Sequence, residues 1–275
     1  MPILKNPIII KYEGLDADKH EIELSSFAES VKGLEKIISV AANFAISQRY
    51  VKRRDAMVIR VMATTPSEGS FDFPLILGWA SQNSIASNTV GGLIVALVCY
   101  IFSKLSGRKQ EMKALQAALE AAIKELGNKN QSVVDRLLDT VDSMAASLRP
   151  AAQQALTPIG NSVYSLSVLS KDQKVAPFVV GEAEKEAVLS GGNIEILDEA
   201  EYKVRFHEMN KDTNSCRISF LDGDGDRITA VINDPCFTLE ENNYIKAFAN
   251  NAYIPVKAKA AIRDGEIIKL FINNS

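Results

Sequence analysis

The residues whose spacing comes nearest to a ligand set are Asp222, Asp224 and Asp226, alternating with Gly223 and Gly225. Carboxylates at alternate positions can converge on a hard cation such as calcium. The EF-hand loop needs glycine at its sixth position and glutamate at its twelfth; those positions here hold Arg227 and Asn233. A polar hairpin turn, in which glycine supplies positive φ, explains the run without a metal. Histidine chemistry has two candidates, His20 in an expected hairpin and His207 on an expected strand. A nucleophile–histidine arrangement needs a partner and an orienting group close in space, and no GxSxG, HExxH or P-loop pattern supplies one. Cys99, Cys216 and Cys236 have neither zinc-site nor disulfide spacing, and read as small hydrophobes in a reducing cytoplasm. No residue is assigned catalytic, cofactor or structural-metal duty, and a non-enzymatic protein is expected.

Two other groups concern binding. Arg49, Lys52, Arg53 and Arg54, with Tyr50 among them, form the densest basic cluster and are candidate phosphate contacts. A solvated connector after a helix C-terminus is the favoured reading, since cations suit that end of the helix dipole. The second group is an uncharged stretch from 73 to 103, within which residues 90–102 are strongly apolar. Thirteen helical residues rise about 20 Å, short of the roughly 30 Å hydrocarbon core. A buried core helix or an oligomer interface is the favoured reading, with Leu93, Leu97, Tyr100 and Ile101 as its face; membrane association through 90–102 is the alternative.

The elements that must carry these residues follow from periodicity. Residues 8–12 and 20–24 read as a hairpin, and 57–64 and 70–77 as a second strand pair. Between them Ser26 and Glu29 have capping-box spacing, and Phe27, Val31, Leu34, Ile38, Ala41 and Ala45 mark one helical face. Two further stripes, Met112-Leu115-Leu119-Ala122-Leu126 and Val134-Leu137-Val141-Met144-Leu148, predict an αα-hairpin over 109–149, stopped by Gly127-Asn128 and by Pro150. Residues 163–169 alternate like a strand, and 182–189 form a short helix. Five strand-like runs close the chain: 201–209, 216–221, 227–232, 253–262 and 266–272, with a helix over 239–248. The fold class is therefore α+β: a β-β-α-β-β module (1–77), a helical region (78–150) with an apolar helix at 90–105, a connector (151–200), and a small five-stranded barrel of OB or SH3-like type (201–275).

A resemblance can be stated on particular residues. Leu148-Arg149-Pro150-Ala151-Ala152-Gln153-Gln154-Ala155 and Pro158-Ile159-Gly160-Asn161-Ser162, with Lys257-Ala258-Lys259 and Arg263-Asp264-Gly265-Glu266, resemble an uncharacterised bacterial family found in prophage and mobile-element surroundings. The resemblance implies an N-terminal α+β domain, a C-terminal five-stranded barrel and that genomic setting. It implies no activity or functional residue.

The net charge of −3 does not favour polyanions. Residues 201–275 hold ten Lys and Arg against eleven Asp and Glu, so the charge balance argues against nucleic acid on the barrel. The expected protein is a cytoplasmic binding or assembly protein, a homo-oligomer with a further protein partner. A membrane-perturbing effector and a nucleic-acid-binding module are the alternatives.

Overall fold

The computed structural model describes residues 8–64, 71–79, 87–125, 130–170, 178–221, 226–263 and 265–275. The chain separates into two compact units, Met1–Leu189 and Ser190–Ser275.

The first unit contains β1 (Ile8–Glu13), α1 (Leu24–Ser47), β2 (Ile59–Ala63), β3 (Phe71–Trp79), α2 (Ser87–Leu105), α3 (Lys109–Glu125), α4 (Gln131–Ala155), β4 (Ser165–Ser170), β5 (Phe178–Val180) and α5 (Glu182–Leu189). Its sheet is antiparallel throughout, in the order β2-β3-β1-β4-β5. Central β1 alternates as a half-covered strand should, with Ile8, Ile10 and Tyr12 buried and the residues between them half-buried.

Several expectations change here. No strand forms at 20–24: a 3-10 turn (Leu15–Lys19) ends just before it, residues 20–23 are irregular, and α1 begins at Leu24; Gly14, at φ +79°, turns the chain against Tyr164. The capping box does not form, because α1 begins two residues before Ser26, whose hydroxyl donates instead to the Glu23 carboxylate (3.0 Å). The expected boundaries after residues 77 and 150 do not divide the chain. β4 pairs with β1 (Ile10 opposite Val168), and one apolar core runs from Ile8 to Val188. The stop expected at Gly127-Asn128 lies outside the described residues.

Pro150 does not end its helix. It deprives only the Ala146 carbonyl of its intrahelical partner, and both residues are exposed, so water can take that bond. The turn beyond it is needed for packing. Ala151, Ala152 and Ala155 are buried against α1, and Gly33 meets them so closely that a Cβ there would stand 2.3 Å from the Ala151 oxygen and 2.5 Å from the Ala155 nitrogen. Ser30 adds a polar tie at the same crossing, donating to the Ala155 carbonyl (2.5 Å).

α2 lies in the middle of this unit. Residues 93–102 are all buried, and α1, α3, α4 and β4 pack around it. Leu93, Leu97, Tyr100 and Ile101 are thus core residues of the single chain, and from 93 to 102 no residue of the helix is exposed. Among the described residues no helix is long and apolar enough to cross a membrane. The Tyr100 hydroxyl donates to Asp142 (2.6 Å), a polar exit from an otherwise apolar neighbourhood. At the end of α2, Arg108 bridges Glu111 (2.9 Å) and buried Glu184 (3.8 Å) while lying over the Phe178 ring, tying α5 and β5 to the helices.

The second unit holds β6 (Glu195–Ile196), β7 (Ala200–Asn210), β8 (Ser215–Phe220), β9 (Ile228–Ile232), α6 (Asn243–Ala249), β10 (Tyr253–Arg263) and β11 (Glu266–Asn274). β7, β8, β9, β11 and β10 close into a five-stranded barrel, with β9 and β11 parallel and β6 added outside β10. The helix between the third and fourth barrel strands and the parallel closing pair give the OB-type order. Val204, Phe206, Ile218, Ala230, Val256, Ala258, Leu270 and Ile272 fill the interior. Tyr244 of α6 plugs it, edge-on to Phe206 and Phe237, with its hydroxyl donating to Asp234 (2.7 Å).

Gly33→Val will cost about 2–3 kcal/mol or more, since the added atoms meet backbone that cannot move without separating α1 from α4. Urea unfolding of the full chain measures it, and Gly33→Ala is expected to fall between parent and Val.

Candidate functional site

α1 is longer than the core it serves. From Ile37 to Ala45 it is enclosed, whereas from Leu24 to Glu35 only one side is covered. This free half overhangs the inner face of β1, β3 and β2, and a cavity of about 260 Å³ opens between them. Phe27, Val31, Leu34 and Glu35 line it from the helix; Ile10 and Tyr12 from β1, Leu75 from β3, and Val61 and Ala63 from β2 complete it. The lining is apolar except for the Tyr12 hydroxyl and Glu35. The volume is below the roughly 300–1,000 Å³ usual for a drug-sized ligand, and suits a bulky side chain.

One end of the cavity is rigid. Tyr12, Phe27 and Phe71 meet edge to face, with centroids 5.4–6.2 Å apart. Ser30 gives its single proton to the Ala155 carbonyl, so the Tyr12 hydroxyl must be the donor to Ser30 Oγ (2.9 Å). Burial holds that phenol well above its ordinary pKa, and it stays neutral.

The other end is charged. Glu35 accepts from Ser39 (3.0 Å) and pairs with Arg54 (3.1 Å). The predicted basic cluster is therefore brought to the mouth of the cavity. Lys36 of α1 donates to the Lys52 carbonyl (2.6 Å), Lys52 lies over the Tyr50 ring, Arg53 pairs with Asp55 (3.0 Å), and the Arg49 carbonyl accepts from Asn43 (3.3 Å). Tyr50 also hydrogen bonds Ser147 of α4. Arg53 and Arg54 keep most of their surface in water, so these pairs stabilise little and remain available.

Sequence reasoning passed over Asn43, which positions this loop. It is buried, donates to Ser47 and to the Arg49 carbonyl, and accepts from the Val58 N–H (3.1 Å) just ahead of β2. Its signal was available: one amide within Ala41-Ala42-Asn43-Phe44-Ala45, where a side chain facing apolar packing needs backbone partners.

β2 is an edge strand, with no further strand beside it among the described residues. Thr64 N–H donates to the Pro74 carbonyl (2.9 Å), which sets the phase of the ladder: Arg60 and Met62 turn their backbone groups toward β3. Ile59, Val61 and Ala63 turn theirs outward. The two residues whose side chains line the cavity, Val61 and Ala63, thus present their amide and carbonyl groups along the open edge.

The other sequence candidates are dispersed. Asp222 and Asp224 lie outside the described residues; Asp226 is exposed, and among the described residues no three His, Cys, Asp or Glu gather as a metal site. His20 is on an exposed turn. His207 meets Ser219 Oγ at 2.9 Å, but Ser219 is buried, and burial together with Arg227 and Arg205 holds the imidazole below its ordinary pKa. Burial pushes the Cys99 and Cys216 thiols up to about 12.

Residues 8–189 match the model of a domain of unknown function (DUF7946), two thirds of the chain and almost the whole first unit. The chain belongs to the DUF7946 family. Residues 198–274, the barrel, match a second family of unknown function (DUF7947). No curated protein and no solved structure matches. The groove between α1 and β2 lies wholly within the DUF7946 domain.

Asn43→Leu leaves the Val58 N–H without its partner and the Arg49 carbonyl with only the longer bond from Ser47 Oγ (3.4 Å), and is expected to cost about 1–3 kcal/mol by chemical denaturation, with faster amide exchange at Val58. In thiol titration of the native protein Cys236, the exposed cysteine, reacts while Cys99 and Cys216 react only on unfolding. Fast native modification of either buried thiol would contradict their packing.

Proposed function

We propose that this protein is a non-enzymatic binding protein whose DUF7946 domain receives an extended segment of a protein partner along β2. The reading is carried by one observation: Val61 and Ala63 line an apolar cavity with their side chains and face the open strand edge with their backbone groups. An added strand satisfies the edge by main-chain hydrogen bonds, while pockets for alternate side chains select sequence. A bulky apolar side chain of the segment enters beside Phe27 and Val31. Flanking acidic residues meet Arg53 and Arg54, whose exposed pairs break at little cost.

The test is selection of peptides from a displayed random library on the full chain, followed by calorimetry. Enrichment of a bulky apolar residue within an extended, acidic motif is expected. Ala63→Trp, which fills the cavity from an exposed position, and Val31→Arg are expected to weaken the selected peptide about tenfold or more, a loss of about 1.4 kcal/mol. Methylating alternate peptide amides must also abolish binding if a strand is added. Selected peptides that bind both variants and the methylated form unchanged would refute the groove as the site.

A further inference from the structure

The barrel strands carry a second surface that charge counting over the segment conceals. Side chains on β7 alternate between the filled interior (Val204, Phe206) and the outside (Lys203, Arg205). The pairing registers align the outside residues across strands. Arg205 is opposite Ser219 on β8 and opposite Tyr253 on β10. Continuing the β8–β9 register by one residue sets Arg227 opposite Ser219. The row therefore reads Arg227, Ser219, Arg205, Tyr253 over four adjacent strands, with Ser219 itself buried against His207, Lys203 one step along and Lys257 beyond it on β10.

The middle of this face carries Lys203 and Arg205, one step apart on the outer side of β7. The described acids beside it are Glu201 opposite Lys257, Glu208 beside Arg217 (3.9 Å), and exposed Asp226, the chain neighbour of Arg227. Among the described residues Lys203, Arg205, Arg227 and Lys257 form no ion pair. The Arg205 guanidinium lies over the partly exposed Tyr253 ring, 5.1 Å from its centre, and Arg205 Nε is buried without a hydrogen-bond partner. His207, set out by an irregularity in the β7–β8 register, sits close enough to Arg205 and Arg227 for both to disfavour its charged form. Asp234, Glu240 and Glu241 belong to the connection between β9 and α6.

We infer that this outer face of β7, β8, β9 and β10 binds single-stranded nucleic acid. Arg205, Arg227, Lys203 and Lys257 take successive phosphates, and Tyr253, backed by Arg205, supplies a stacking surface for a base. Stacking tolerates any base, so binding is largely sequence-independent. An acidic peptide would use the cations and leave the aromatic plane idle, which is why nucleic acid is the better occupant.

The full chain is titrated into a fluorescein-labelled oligonucleotide of about 16 nucleotides, dT or rU, and anisotropy is read. Raising salt from about 50 to about 200 mM is expected to weaken binding roughly 20- to 50-fold for three or four phosphate contacts. Arg205→Glu with Arg227→Glu should abolish the signal. Lys203→Glu with Lys257→Glu, at two exposed positions, should weaken binding at least tenfold even if the first pair disturbs the barrel. Tyr253→Ala should cost roughly 5- to 100-fold. Absence of binding to both oligonucleotides at low salt, binding unchanged by the lysine pair, or displacement of the oligonucleotide by polyglutamate as readily as by unlabelled dT would each overturn the assignment.

Discussion

The constraint on which the first unit depends is the all-round burial of α2. Apolar side chains from Leu93 to Phe102 project in every direction around the helix, and no amphipathic arrangement can hide them. Each side must receive a different neighbour, so α1, α3, α4 and the β4 side of the sheet are recruited around one axis. This explains why one domain extends to Leu189 where sequence segments suggested three. The strands that finish the sheet, β4 and β5, come after the helices because the helices need that sheet as a wall.

The same packing creates the groove. α1 meets α4 at a crossing tight enough to require Gly33, and Ser30 locks it by reaching the Ala155 carbonyl. Beyond that crossing, among the described residues, α1 has no helical neighbour to cover its free side, and its first turns project over the strands. Tyr12, tied to Ser30, stiffens one end of the opening, while Asn43 holds the basic loop against the other. Residues that look structural therefore set the geometry of the proposed binding surface.

The two sheets handle their edges differently. The barrel eliminates them by pairing β9 with β11 and β7 with β10, which leaves side chains, not backbone, on its surface. The open sheet keeps an edge at β2, short and bearing Arg60 and exposed Met62. An edge of this kind recognises backbone, whereas a closed strand face recognises charge and aromatic surface. The peptide groove and the nucleic-acid face proposed above follow from that difference and do not compete for the same residues.

Much of this was legible in the sequence where the determinants are local. The five barrel strands, the helix before β10, the α4 stripe at Val134, Val141, Met144 and Leu148, and the short helix 182–189 follow from periodicity, turn residues and capping, all decided within a few residues. Residues 90–102 by themselves required enclosure. What enclosed them was a tertiary matter, because apolar burial is non-directional and a sequence cannot say whether lipid, a second copy or its own chain supplies the cover. Helix continuation through Pro150 likewise depended on what lay beneath Ala151 and Ala155. The cavity needed Tyr12, Val31 and Val61 brought together from three elements. The row Arg227-Ser219-Arg205-Tyr253 needed strand register, which a one-residue slip would have inverted, so a charge sum over the segment could not reveal it.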